Sequence, residues 1–298
     1  MNQHSRTTAI LVISVILCSA LIIGSIWGLY FFDHAIPNDT SSTEQSESSS
    51  YTDSEEQTTA PLPPENTKPK PKKMIALTFD DGPSGAYTHK ILDLLEQYQA
   101  KATFFVCGYQ LKESKKDELQ RAISLGCEIG NHSETHAYLT KISEEELLKE
   151  IRNTNEKIAQ LSGTDYHCTV YRPPYGSVNR KVAETLIQNE IYMYPILWNS
   201  DSRDWEYRRD YDNGKITRNE AITGTFETVV REASEGSVIL MHDIQSITPD
   251  VVALILEKYT AEGYTFVTVS ELFGFEEMQD EEAYFKYYNS ANSISSLR

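Results

Sequence analysis

Basic residues are scarce in this chain. Its 298 residues carry 27 lysines and arginines against 44 aspartates and glutamates, a formal net charge of −17. A nucleic-acid footprint needs clustered Lys and Arg, so this balance argues against such a partner. Cysteine is scarce as well. Of the four cysteines, Cys18 lies in an apolar run, and the spacing of Cys107, Cys127 and Cys168 matches neither a zinc ribbon nor a disulfide framework. Cys107 and Cys127 sit in apolar, strand-like runs, where a small buried hydrophobe is the expected role.

Charge of either sign is missing from residues 9–32. As a helix this run would extend about 36 Å at about 1.5 Å per residue, and a bilayer's hydrocarbon core is roughly 30 Å thick. A cleaved signal peptide would have a shorter apolar region of about 7–15 residues closed by a small-residue site. No clear Ala-x-Ala closes this one, and bulky Leu17 before Cys18 disfavours a lipoprotein anchor. The expectation is a transmembrane anchor at 9–32. His4, Arg6 and the amino terminus precede it, and no Lys or Arg follows until Lys68. The positive-inside rule then puts residues 1–8 in the cytoplasm and everything after Phe32 outside. A single-pass protein of the cell membrane, with an extracellular main domain, is expected. Residues 33–71 are rich in Ser, Thr and Glu, then in Pro and Lys, and hold almost nothing apolar. Such a stretch cannot bury enough surface to fold and reads as a disordered linker.

Globular composition begins at residue 72. Strand-like runs at 75–80, 103–107, 127–131, 168–171, 192–197, 237–241 and 265–268 alternate with helical patterns that begin near Tyr87, Ser114, Ser143, Asn179, Glu220 and Pro249. Ser143 and Glu146 fit a capping box, and Gly163 is placed to stop that helix. Seven strands alternating with helices imply an α/β fold with a parallel sheet, closed as a barrel or open and doubly wound. Residues 275–298 read as an acidic and aromatic tail, solvated or loosely docked.

In parallel α/β architectures functional residues gather at the carboxyl ends of strands, and polar clusters stand there. Asp80 and Asp81 follow the first strand, where Gly82 and Pro83 force a turn. Asn131-His132-Ser133-Glu134-Thr135-His136 follows the third and Arg172-Pro173-Pro174-Tyr175-Gly176 the fourth. Asp201-Ser202-Arg203-Asp204-Trp205 follows the fifth and His242-Asp243 the sixth. His132 and His136 are four apart and would share one face of a helical turn. Two histidines and an aspartate make a catalytic metal set that leaves a position open for water. A His-Glu-x-x-His motif is absent, since Ser133 follows His132, so a base must come from elsewhere.

Five stretches in order, Thr78–Pro83, His132-Ser133-x-x-His136, Arg172–Gly176, Asp201-x-x-Asp204-Trp205 and Leu240–Asp243, resemble the motifs of polysaccharide deacetylases of the NodB-homology type (carbohydrate esterase family 4). The resemblance covers roughly residues 72–274. It implies a deformed (β/α) barrel of about seven parallel strands and metal-dependent removal of acetyl groups from a polysaccharide. Carried over by motif, Asp81, His132 and His136 would bind a divalent metal, zinc first, with cobalt, manganese or nickel as alternatives. Asp80 would be general base, held by Arg172, and His242 general acid, tuned by Asp204. The Tyr175 amide would help form the oxyanion hole, Trp205 and Leu240 would wall the acetyl pocket, and Pro173 and Tyr175 would also bind substrate. An anchored enzyme would meet cell-wall polysaccharide, so peptidoglycan N-acetylglucosamine is the expected substrate and a monomer the expected state. Chitin-like polymers, exopolysaccharide and acetylated xylan stay open. So do a non-catalytic wall-binding protein and an iron oxygenase with a two-His-one-carboxylate triad. The charged stretch 206–219 is longer than the family pattern and reads as a surface insertion.

Overall fold

In the computed structural model, the structure describes residues 73–275 and residue 282. Eight parallel strands form one sheet: β1 (Lys73–Asp80), β2 (Ala102–Val106), β3 (Glu128–Asn131), β4 (Val170–Tyr171), β5 (Tyr194–Pro195), β6 (Ser200–Asp201), β7 (Val238–His242) and β8 (Tyr264–Phe266). Their order is β5-β4-β3-β2-β1-β7-β6, with β8 beside the start of β1. The helices run Ala86–Tyr98, Lys116–Ser124, Glu144–Ser162, Arg180–Gln188, Asp204–Asp212, Arg218–Glu232, Thr248–Ala261 and Val269–Phe273.

Two expectations need correction. The barrel does not close. Edge strands β5 and β6 pair with β4 and β7 respectively and not with each other, so the sheet is a curled half-barrel. Strands of two residues each are too short to carry a ladder around the gap. The membrane anchor also finds no support. Among the described residues no helix is long and apolar enough to cross a membrane, and residues 9–32 lie outside them. The single-pass topology, the membrane as a partner and the extracellular placement all rest on residues 9–32 and gain no support from the described residues. The 33–71 linker, and the tail beyond Phe275 apart from residue 282, also lie outside the described residues.

Alternation along the strands separates two faces. On β1, Ile75, Leu77 and Phe79 join the main core under the helices, with Ile91, Leu92, Leu95, Ile239 and Met241. Ala76 points to the inner face with Phe105, Val170, Ile196 and Val238. Both faces are buried, as a parallel sheet requires. Thr78 and Asp80 share the parity of Ala76. Register pairs Ala76 with Val238, Thr78 with Leu240 and Asp80 with His242. The same period that packs the core therefore carries an aspartate and a histidine side by side to the end of the inner face.

Local signals act as the sequence implies. Ser143 and Glu146 form a full capping box, and Gly163 takes the left-handed conformation that ends the helix. The helix expected near Glu220 starts at Arg218, because Thr217 caps it through a second box with Glu220.

Candidate active site

Arg172 is the hub. It is fully buried, and its Nη1 donates to Asp80 Oδ1 at 2.7 Å and to Thr78 Oγ1 at 2.8 Å. Nε and Nη2 donate to the carbonyls of Ile196 and Leu197 at 3.3 and 3.2 Å. The guanidinium lies 4.2 Å from the Phe105 ring centroid and 5.6 Å from that of Trp198. A planar fork with several donors suits this simultaneous holding of one carboxylate and several carbonyls. Burial pushes the Asp80 carboxyl above its usual range, against the opposing pull of Arg172 and His242.

Asp81 has left the strand. Its φ of 73° turns the backbone into the left-handed region, yet its carboxylate still converges with that of Asp80, whose Oδ2 lies 3.6 Å from His132 Nε2. Asp81 Oδ1 lies 3.5 Å from His132 Nε2 and 3.4 Å from His136 Nε2. The two histidines sit on a bent loop rather than a helical turn, with φ of 65° at Ser133 and 60° at His136. Asn131 braces that loop. Its Oδ1 accepts from the Ser133 amide at 2.7 Å, and its Nδ2 donates to the Ile151 carbonyl and to Asn155 Oδ1. The rings of His132 and His136 are 5.0 Å apart.

His132 is prepared as a ligand. A carbonyl only accepts, so the 2.7 Å contact between Nδ1 and the Arg172 carbonyl puts the proton on Nδ1. Nε2 then carries the lone pair toward Asp81, the arrangement by which metal-bound imidazoles are oriented. Burial drives the pKa of this ring down to about 3, against the raising effect of Asp81, so it is neutral at ordinary pH. The ligand atoms of Asp81, Cys107 and His132 lie within 4.8 Å of one another and can hold a metal ion. Hard carboxylate, imidazole and soft sulfur together fit a divalent transition ion. Sequence reasoning placed Cys107 in the core and missed this position. Parity shows it, because Cys107 follows β2 on the same side as inward-facing Phe105.

On the other side of Asp80 stands His242. Its Nδ1 is 2.7 Å from Asp204 Oδ1, which leaves Nε2 for proton exchange. Asp204 is buried, and its Oδ2 accepts from the His242 amide at 2.8 Å and from the Thr248 hydroxyl at 2.6 Å. Burial opposes charge on the His242 ring, but the Asp204 carboxylate beside it prevails and lifts the pKa to about 9. Tyr175 belongs to the short turn Pro174–Gly176, with φ of 61°. Its exposed ring stacks on Tyr138 at 3.8 Å and meets the His136 ring edge-on at 4.5 Å. Trp205 is exposed in the first turn of its helix, and Leu240 is buried on β7.

The arrangement gathers a metal-competent group, a buried carboxylate and a carboxylate-tuned histidine. Residues 67–194 match the family model described as polysaccharide deacetylase. The structure of the peptidoglycan deacetylase PdaC from Bacillus subtilis superposes with a TM-score of 0.59 at 38% identity, covering 68% of this chain and 91% of that one. The chain belongs to the polysaccharide deacetylase family. Two curated members are each 39% identical. One is a peptidoglycan-N-acetylglucosamine deacetylase of Listeria monocytogenes serotype 1/2a, over 74% of this chain and 43% of the relative. The other is the peptidoglycan-N-acetylmuramic acid deacetylase of Bacillus subtilis strain 168, over 71% of this chain and 41% of the relative. The chain thus spans less than half the length of these two deacetylases.

Proposed function

We propose that this chain is a metal-dependent deacetylase acting on N-acetylated sugars of a cell-envelope polysaccharide, N-acetylglucosamine of peptidoglycan first among them. Residues 72–274 form its catalytic domain. The observation that carries this reading is the ladder pairing of Asp80 with His242. It puts a carboxylate fixed by Arg172 beside a histidine fixed by Asp204, next to a group able to hold a metal. The related proteins of Listeria and Bacillus, named for peptidoglycan sugars, support the substrate class.

Asp81, His132 and His136 would hold the ion, with zinc preferred. When bound, a divalent ion polarises the acetyl carbonyl and activates a water at neutral pH. Asp80 takes the proton from the attacking water, and its burial-raised pKa makes it a better acceptor than an ordinary carboxylate. Arg172 keeps that carboxylate in one orientation. The Tyr175 amide donates to the oxyanion, a contribution of about 3 kcal/mol for one such donor. His242, still protonated well above pH 7, delivers a proton to the departing amine nitrogen. Trp205, Leu240 and Pro173 wall the acetyl methyl.

The test is incubation of the zinc-loaded full chain with purified peptidoglycan, followed by digestion and mass spectrometry of the fragments. Fragments lighter by one acetyl group, with the loss on glucosamine, are expected. Loss on muramic acid would move the substrate to the other amino sugar. An unchanged profile from metal-loaded protein would defeat the reading.

A further inference from the structure

Beyond His136 the rim of the site carries a column of side chains that the reaction steps above leave unused. The His136 ring meets the Tyr175 ring edge-on at 4.5 Å. Tyr175 lies nearly parallel to Tyr138, with 11° between planes and 3.8 Å between centroids. The Lys141 ammonium stands over the Tyr138 ring, 4.0 Å from its centroid. Tyr175 fills one face of Tyr138, so the ammonium takes the other. The column is fixed by its backbone. The Lys141 amide donates to the Tyr138 carbonyl at 2.9 Å, a turn that folds the lysine back over the ring. Leu139 inside that turn is buried, and the hydroxyls of Thr140 and Ser177 lie 2.6 Å apart, which ties the turn to the Tyr175 loop. Tyr138, Tyr175 and Lys141 all remain exposed.

The charge on this column is unmatched. The chain is strongly acidic, with a net charge of −17, and most of its described lysines lie within ion-pair distance of a carboxylate, Lys101, Lys149, Lys157 and Lys215 among them. Among the described residues no carboxylate pairs with Lys141; its one recorded side-chain contact is the Tyr138 ring. We propose that Lys141 is a specificity-determining residue that reads a carboxylate carried by the sugar unit flanking the one being deacetylated. The proposal rests on the deacetylase reading above and narrows its substrate to a glycan with acidic units, over a neutral N-acetylglucosamine polymer. In peptidoglycan the muramic unit bears a lactyl group, whose carboxylate is either free or joined to a peptide stem with carboxylates of its own. Contact with the ring face restrains the ammonium and leaves its outer hydrogens for a ligand, since a lysine carries three donors. The stacked rings set its distance from His136, so acetyl group and carboxylate are located together. The competing account is that the lysine stem only covers Tyr138.

Lys141→Met separates the two, because it keeps an apolar stem over the ring and removes the charge. The zinc-loaded full chain and this variant are compared on amidase-trimmed glycan strands, whose lactyl carboxylates are free, and on neutral N-acetylglucosamine oligomers of equal length. On the strands KM should rise about three- to tenfold with kcat nearly unchanged, and both constants on the neutral oligomers should match the parent. Lys141→Glu should raise KM on the strands further, and Lys141→Arg should stay near the parent. Added salt should erode the parent's preference for strands and leave Lys141→Met unmoved. Strands that keep their peptide stems locate the carboxylate: dependence on Lys141 there alone assigns it to the stem, and dependence on trimmed strands assigns it to the lactyl group. An equal rise in KM on charged and neutral polymers, or no rise on any strand, overturns the proposal. Equilibrium binding of the same polymers to Asp80→Asn, with and without Lys141→Met, reads the contact without turnover. If the parent deacetylates neither polymer, the enzyme reading fails and that binding difference still decides the role of Lys141. If the parent deacetylates both and Lys141→Met treats them alike, the enzyme reading stands and the proposal falls.

Discussion

Asp204 and His242 are 38 residues apart in the chain and 2.7 Å apart in space, Oδ1 to Nδ1. Both oxygens of Asp204 are held. The Trp205 amide donates to Oδ1 at 2.9 Å, and the His242 amide and the Thr248 hydroxyl donate to Oδ2. A carboxylate fixed by this many donors cannot rotate away from the imidazole it faces.

With His242 as the proposed general acid, this pair would set the alkaline side of activity. The folded pKa of His242, about 9, stands above the ordinary value of 6.5. The stabilisation it contributes is therefore complete below that ordinary value and is lost as pH rises through about 9. A general acid with this pKa keeps its proton across the neutral range. Asp204→Asn removes the largest charge that lifts it and leaves burial, which acts downward, against the weaker pull of Asp80 and Asp81. The alkaline limb of kcat/KM should fall from about 9 toward 6.5, with a loss of roughly 30-fold at pH 8 from the smaller protonated fraction. An alkaline limb that stays in place would show that His242 is not the acid.

Arg172 and Asp80 form a fully desolvated pair, and such pairs respond unequally to loss of one partner. Arg172→Met leaves a buried carboxylate facing Thr78 without its cation. Chemical denaturation should show a loss of about 3–5 kcal/mol, the usual cost of orphaning a buried charge. The double variant Arg172→Met with Asp80→Asn should recover part of it. If the single variant is as stable as the parent, the guanidinium is not what holds Asp80 in place.

The sequence made the inner end of the sheet legible because chemistry-bearing residues there interrupt apolar strands. Asp80, His132, Arg172 and His242 all stand at such breaks. Other parts carried no signal of that kind. Strand β6 has two residues, Ser200 and Asp201, too few for any periodicity. The helix Asp204–Asp212 buries only Asp204, so it lacks the apolar stripe that marks a helix and read as a surface insertion. It is nevertheless packed, with the Tyr207 ring 2.4 Å from where a Cβ on Gly224 would stand. The histidine loop read as a helical turn because i, i+4 spacing is the helical signature, whereas Asn131 bends the backbone through contacts made across the fold. Barrel closure depends on ladder lengths at β4 to β6, which composition does not encode.

Gly82 has a role that spacing alone does not reveal. A Cβ there would lie 2.1 Å from Asp243 Oδ1 and 2.5 Å from its Cγ. Asp243 is buried, accepts from Thr88 Oγ1 at 2.5 Å, and has its carboxyl pushed up to about 7 by burial. The neighbour is thus a fixed group rather than a free chain end. Gly82→Ala should cost about 1–3 kcal/mol by overpacking and weaken zinc binding, since the turn that aims Asp81 must shift. Adding Asp243→Ala should restore part of the stability, because the two changes share one contact. Parent-like stability and zinc affinity in Gly82→Ala would refute the packing argument.

The adjacent carboxylates provide the sharpest test of the chemistry, because Asp80 and Asp81 are the same residue type in different settings. Asp80 lies on the inner face, 5% exposed at its side chain and tied to Arg172. Asp81 lies past the strand end with both imidazoles within 3.5 Å of Oδ1. A base matters as water is deprotonated, whereas a ligand matters throughout the cycle. Asp80→Asn should therefore retain zinc and substrate binding and lose about 10² to 10⁴-fold in kcat. Asp81→Asn should bind zinc more weakly, and excess zinc should restore part of its rate. Side-by-side zinc titration of the two variants reads the difference directly. Rescue of Asp80→Asn by zinc, with none for Asp81→Asn, would reverse the assignment. Equal zinc affinity in both variants and the parent would remove Asp81 from the ligand set.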